Sequence, residues 1–254
     1  MKEVTYEQPL NERIRTLMRL EYLFSQVDNH LASTTTWDTR NILTGIVDIL
    51  QITNRADLKT EIIKELDRLS SNLNPLTNSP DVDQLMLTNV LNDLQQAEQD
   101  WHGLQGLIAQ SLRDNEFINS IKQRYSVPGG TSEFDLPSFH CWLQLESTDR
   151  KAILQLWLKE LDQLRNAVAL ILKLIRESAR SKCLIASSGF YQQPLDASAP
   201  YQMIRVMLDN NAKYFAEISG GKHRITIRFM EMSTDGRPTQ TEQDVEFILQ
   251  NCVI

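Results

Sequence analysis

The hydrophobic period of this chain changes once, near residue 181, and that change limits the fold more than any other feature. Up to there, apolar residues recur three and four apart, the period of an amphipathic helix. Beyond it the helical period is lost and proline, glycine and serine become frequent. His223-Arg224-Ile225-Thr226-Ile227-Arg228-Phe229 alternates strictly, and Ile204, Val206 and Leu208 fall on one face of a second alternating run. Cys183-Leu184-Ile185 and Gly189-Phe190-Tyr191 suit short strands. Asp235-Gly236 is a turn signal, with Val245-Glu246-Phe247-Ile248-Leu249 as the expected partner of the strand from His223. A short strand at Val4-Thr5-Tyr6-Glu7-Gln8, ended by Pro9, needs a partner and is expected to join the same sheet. The predicted fold is α+β: a mainly helical domain over residues 10–181, and a smaller antiparallel β-sheet domain from residues 1–9 and 182–254.

The helical part carries its own punctuation. Asn11 is a good cap for a helix whose apolar side holds Ile14, Leu17, Leu20, Phe24, Val27 and Leu31, with Arg15 and Arg19 one turn apart on the opposite side. Thr34, Thr35 and Thr36 can cap the next helix. Asn54-Arg55-Ala56-Asp57 breaks it, with Asp57 as a cap for a third. That helix carries Leu58, Ile62, Leu66, Leu69 and Leu73, and its charged face, including Glu61 and Glu65, is expected to be solvated. Ser79-Pro80-Asp81 predicts a further start, and a helix is expected over residues 107–123 with Arg113 exposed. Ser147 caps a long pattern that Asp162 divides in two, and Trp157, Leu164, Val168, Ile171, Leu172 and Ile175 place it at the centre of the helical core.

The sharpest break lies at residues 127–140. Pro128, Gly129 and Gly130 stop a helix entering at Tyr125, and Asp135 with Pro137 can open the next. Phe134, Leu136 and Phe139 are apolar enough to pin this connection to the core. Two readings stand: a packed helix–helix connector, or a rigid loop presenting His140 to a partner.

Composition narrows the function. Hydrophobic content of 41% and charged content of 23% are those of an ordinary globular protein. A net charge of −7 argues against bulk attraction to nucleic acid or an anionic membrane. The start Met1-Lys2-Glu3-Val4-Thr5 has no signal-peptide character, and the longest apolar run, residues 167–172, is far too short to span a bilayer. Cys141, Cys183 and Cys252 give neither a disulfide framework nor a metal spacing, which suits a reducing cytoplasm.

Motifs for catalysis are missing. GxSxG, HExxH and GxGxxG do not occur, and Gly220-Gly221-Lys222 leads into a strand where a phosphate loop needs a helix. His140 and Cys141 are adjacent, so on a helix they point about 100° apart and do not form a nucleophile–base pair unaided. His30, His102, His140 and His223 are too scattered for a metal site. The informative feature is basic. Arg224, Thr226 and Arg228 share one strand face, with Lys222 leading in, while Ile225, Ile227 and Phe229 share the other. Either cross-strand acids such as Glu246 or Asp244 neutralise this rail, or it receives a short acidic peptide. A nucleic-acid module using the same arginines sits poorly with the acidic net charge.

Five separated motifs carry a resemblance over almost the whole chain. They are Gln8-Pro9-Leu10-Asn11-Glu12-Arg13-Ile14-Arg15-Thr16, Lys64-Glu65-Leu66-Asp67-Arg68, Val127-Pro128-Gly129-Gly130 with Phe134-Asp135-Leu136-Pro137, Ser188-Gly189-Phe190-Tyr191-Gln192, and the strand at residues 224–229. In order and spacing the chain resembles the ZapD family of bacterial cell-division proteins associated with the FtsZ ring. The stretch at residues 74–94 departs from the family pattern. The resemblance implies a cytoplasmic homodimer with no enzymatic activity of its own, and neither a cofactor nor a metal is expected. It implies binding to the C-terminal tail of FtsZ and bundling of FtsZ protofilaments at midcell. The positions that match the family's basic surface are Arg15, Arg19, Arg55, Arg113, His140, Lys222, Arg224 and Arg228, which makes them the candidate tail contacts.

Overall fold

The computed structural model describes every residue except Met1, Lys2, Thr34, Ala56, Lys222, Thr234 and Asp235. It divides into two compact units, residues 16–171 and residues 1–15 with 172–254. The fold is α+β, with the helices preceding most of the strands, as the change of period requires.

The helical unit is built from α1 (Glu12–Leu31), α2 (Thr36–Thr53), α3 (Leu58–Leu73), α4 (Gln84–Gly103), α5 (Gln110–Arg113), α6 (Glu116–Tyr125), α7 (Pro137–Leu143), α8 (Ser147–Lys159) and α9 (Asp162–Glu177), of which α1 and α9 extend into the other unit. The apolar periods point inward: Leu17, Leu20, Phe24 and Val27 of α1 are buried, as are Ile42, Ile46 and Ile49 of α2 and Leu58, Ile62, Leu66 and Leu69 of α3. Each such side chain stabilises the fold by about 1.5–3 kcal/mol through removal from water. Asn11 caps α1, its Oδ1 accepting from the Ile14 N–H at 2.9 Å. Thr35 caps α2, its hydroxyl accepting from the Asp38 N–H. Thr34 lies outside the described residues.

Several expected helix starts are displaced. Asp57 makes no cap bond, because Arg55 holds its carboxylate through Nε at 3.3 Å and Nη2 at 3.1 Å. The start expected at Ser79-Pro80-Asp81 falls at Asp83, which accepts from the Met86 N–H. Residues 107–123 hold two helices, because Asn115 caps α6 through the Ile118 N–H and divides it from α5. Asp135 does not cap α7: Leu136 occupies that position, and Asp135 instead accepts from the Ser132 hydroxyl and faces Arg124. Ser147 is the first residue of α8, with Glu146 at the cap. Glu65, expected in water, is fully buried and receives a two-pronged hydrogen bond from Arg68, Nε at 3.1 Å and Nη2 at 2.5 Å.

Among the described residues the second unit holds two sheets where one was expected. The first has the order β1 (Glu3–Pro9), β4 (Tyr201–Asp209), β8 (Val245–Val253), β2 (Ser181–Ala186), so the strands nearest the two termini do share a sheet. The second has β6 (Arg224–Met232) between β3 (Phe190–Pro194) and β5 (Tyr214–Gly220), with β7 (Pro238–Gln240) also paired to β6. All pairings are antiparallel. The expected pairing of β6 with the strand at Val245 does not form; β8 lies between β4 and β2, and the chain after β6 returns first as β7. The Asp235 half of the turn signal lies outside the described residues.

One apolar cluster joins the inner faces. Ile204, Val206, Leu208, Val245, Phe247 and Leu249 come from the first sheet, and Ala216, Ile225, Ile227 and Phe229 from the second. Phe247 meets Phe229 and Tyr191 at ring-centroid distances of 5.0 and 5.3 Å. On the outer face of the first sheet, Glu7 accepts from both Arg176 of α9 (2.8 and 2.9 Å) and Arg205 of β4 (2.8 Å).

The turn from β2 to β3 explains the motif Ser188-Gly189-Phe190. Ser188 and Gly189 both have positive φ, at 49° and 66°. The Ser188 N–H donates to Asp244 Oδ1 at 2.9 Å, and the Gly189 carbonyl accepts from the Phe229 N–H at 2.8 Å. A Cβ on Gly189 would stand 2.7 Å from the Thr241 carbonyl oxygen. Gly189→Ala is therefore expected to destabilise the protein by about 2–4 kcal/mol, measured by urea unfolding.

Glu7 generates a pH prediction. Burial pushes its carboxyl up, but the Arg176 hydrogen bond and charge, joined by Arg205, outweigh this and hold it below the usual range. A carboxyl depressed in the folded state stabilises fully above its unfolded value of about 4.3, and that contribution is lost as pH falls from there through the folded value. Thermal melts from pH 6 to pH 3 should show a smaller acid-induced loss in Glu7→Gln than in the parent chain.

Candidate functional site

The strand β6 places the strongest candidates. Its period of two buries Ile225, Ile227 and Phe229 completely, so Arg224, Thr226 and Arg228 face outward. Arg224 and Arg228 are exposed, and neither has an ion-pair partner among the described residues. The acids expected to neutralise them belong elsewhere. Glu246 is opposite Ile185 in the other sheet, and Asp244 accepts from the Ser188 N–H. The acid across from Arg228 is Glu217 of β5, and its other neighbour is Phe190 of β3. Thr226 lies between Gln192 and Ser219, and Arg224 is opposite Pro194. Glu217 and Phe190 were missed because they come from strands whose register with β6 no sequence period specifies. Lys222 lies outside the described residues.

In the helical unit Arg55 and Arg113 converge on the end of α2. Arg113, expected to be exposed, is half-buried. Its Nη2 donates to the Thr53 carbonyl at 2.5 Å and to the Thr53 hydroxyl at 3.0 Å, its Nη1 to Asn54 Oδ1, and its Nε to the Ile108 carbonyl at 2.8 Å. This is a cation on the carbonyl end of a helix, where the backbone dipoles favour positive charge. Arg55 donates to Thr16 Oγ1 of α1 at 3.0 Å and faces Asp57 and Glu61 at 3.1 and 3.6 Å. Both guanidinium groups thus also hold local structure.

Arg19 is exposed on α1, and no hydrogen bond or ion pair engages it among the described residues. Arg15 faces Glu12 one turn earlier at 3.4 Å. Tyr22, 70% exposed, follows Arg19 by three positions and so shares its side of the helix.

His140 sits in α7 with its Nδ1 3.9 Å from Glu133 Oε2. The connection before it is a run of turns, with backbone bonds from Val127 to Arg124, Gly130 to Val127, Ser132 to Gly129 and Leu136 to Ser132. Gly129 has φ of 71°, and a Cβ on Gly130 would stand 2.6 Å from the Arg124 carbonyl. Leu136 and Phe139 are buried as expected, but Phe134 is 82% exposed and pins nothing. The missing anchor is Arg40 of α2, which donates to the Thr131 carbonyl at 3.0 Å and lies 4.8 Å above the Phe139 ring.

The fold thus defines a two-unit α+β protein whose free arginines lie on open surfaces, with Arg224 and Arg228 on a sheet face. Comparison with known proteins gives the family. The profile of ZapD, described as a cell division protein, matches residues 18–228. The chain is 39% identical over 252 residues to the cell division protein ZapD of Methylococcus capsulatus, covering 99% of both chains. It is 39% identical to that of Cupriavidus metallidurans and 38% identical to that of Ralstonia pickettii, each over 250 residues, 98% of this chain and 99% of the relative. The chain belongs to the ZapD family of cell division proteins. No helix among the described residues is long and apolar enough to cross a membrane.

The two arginine classes separate by stability. Arg113→Ala is expected to cost about 1–2 kcal/mol, because it strips the end of α2 of its donors. Arg228→Ala should stay within about 0.5 kcal/mol of the parent, as an exposed residue without partners. Urea unfolding of both variants checks this.

Proposed function

We propose that this chain is a non-enzymatic adaptor that binds the C-terminal tail of FtsZ and cross-links FtsZ protofilaments, promoting and stabilising ring assembly at midcell. In this reading it acts in the cytoplasm as a homodimer, without a cofactor, and engages neither nucleic acid nor membrane. Two tail sites per dimer turn a peptide binder into a cross-linker, since the second contact forms at high effective concentration.

The observation that carries this reading is the exposed row Arg224–Thr226–Arg228 on an otherwise acidic chain, together with membership of the ZapD family. Guanidinium groups bind carboxylates with directional hydrogen bonds, and a rigid strand fixes their spacing. Arg15, Arg19 and His140, whose side chains reach solvent, are secondary contacts. Arg55, which also ties the turn after α2 to α1, and Arg113, which also holds the end of α2, are further candidate contacts, and Lys222 leads into the row by sequence alone.

Polymer sedimentation tests the reading. FtsZ assembled with GTP should pellet more completely with this protein, whereas FtsZ lacking its C-terminal tail should not respond. Arg224→Glu with Arg228→Glu should abolish the enhancement while the thermal unfolding profile stays that of the parent. Equal enhancement of tailless FtsZ would move the contact off the tail, and undiminished enhancement by the charge-reversed protein would move it off the sheet.

A further inference from the structure

The outer face of the second sheet is not uniformly polar. Along β6 the outward positions are Arg224, Thr226, Arg228, Met230 and Met232, so the cationic row runs directly into an apolar one. Phe190 stands opposite Arg228, and Phe215 stands opposite Met230. None of Phe190, Phe215, Met230 or Met232 belongs to the apolar cluster between the sheets. Phe190 is 40% exposed and Met232 63%, while Phe215 and Met230 are half-buried on the same face. An outer sheet face is ordinarily the polar one, so a cluster of large apolar side chains there requires an explanation beyond folding.

We infer that Phe190, Phe215 and Met230 form an apolar subsite that continues the Arg224–Arg228 row, and that the two together take an extended peptide segment carrying apolar and acidic side chains. This rests on the tail-binding reading above and specifies it. The chemistry follows from the face itself: the guanidinium groups supply the complement to carboxylates, and the neighbouring rings and thioethers accept a desolvated apolar side chain. Spacing follows from strand geometry. Alternate residues of a strand are about 6.6–6.8 Å apart, and an extended ligand directs every second side chain to the same side. The face thus selects a segment in which an apolar residue precedes or follows an acidic residue by two positions, with a second acidic residue four further along opposite Arg224. Glu217, across from Arg228, repels carboxylates that approach from the β5 side and so favours entry over Phe190.

The test uses the full chain and a fluorescein-labelled peptide of the FtsZ C-terminal tail, read by anisotropy from 50 to 300 mM salt. Phe190→Ala and, independently, Met230→Gln should each weaken binding about tenfold, with the slope of log affinity against log salt unchanged. Arg228→Glu should weaken binding more and flatten that slope. Two apolar variants rather than one guard against a local folding defect, which circular dichroism would reveal. If both bind as the parent while Arg228→Glu does not, the apolar subsite is overturned and the tail-binding reading stands. If Arg228→Glu also binds as the parent, the contact lies off this sheet and the subsite is overturned with it; if the parent does not bind the peptide, the tail-binding reading itself fails.

Discussion

Everything that presents the cationic row depends on the period of two along β6. Ile225, Ile227 and Phe229 are completely buried against the first sheet, and their burial drives Arg224, Thr226 and Arg228 to the opposite side. A slip of one residue would bring two arginines into an apolar interior, at a cost far above the few kcal/mol that separate folded from unfolded chains. The register is further fixed at one end, where the Gly189 carbonyl receives the Phe229 N–H and the Thr241 N–H donates to the Phe229 carbonyl. Core packing and surface charge are therefore one constraint seen from two sides of the same strand.

Arginines in the helical unit show how the same residue type serves a different purpose. Arg113 closes the end of α2, Arg55 ties the following turn to α1, and Arg40 holds the loop before α7. Arg150, buried in α8, donates to the Leu143 carbonyl at 3.0 Å and to the Leu145 carbonyl, closing the end of α7. Arg113 and Arg150 satisfy carbonyl groups that helix ends leave without intrahelical donors. Arg19, Arg224 and Arg228 lack such obligations among the described residues. A positively charged position thus divides by what its guanidinium already holds, and that division separates structural arginines from those available to a ligand.

Much of this was legible in the sequence because it is periodic or locally capped. The α+β class, the inward face of β6, the Asn11 cap and the division between α8 and α9 all follow from spacing within one segment. What failed depends on competing side chains and on strand pairing, neither of which spacing within one segment specifies. Asp57 and Asp135 have ideal cap chemistry, but Arg55 and Ser132 engage them instead. Glu65 reads as solvated from its charged neighbours and is buried with Arg68. The sheet was expected to be single because β6 and β8 both alternate, whereas β7 and β5 carry weaker patterns and take the places beside β6. At the site, Arg224 and Arg228 were legible from alternation alone, while Glu217 and Phe190 depend on register between strands.

The central claim is that the outer face of β6 meets the FtsZ tail. Photo-crosslinking tests it most directly, with benzoylphenylalanine placed at Thr226, between the two arginines, and again at Gln155 on the exposed side of α8. After irradiation with assembled FtsZ, mass spectrometry of the adducts should find the Thr226 probe joined to the C-terminal tail and the Gln155 probe joined to nothing. Adducts at Thr226 confined to other parts of FtsZ, or tail adducts arising from Gln155 alone, would contradict it.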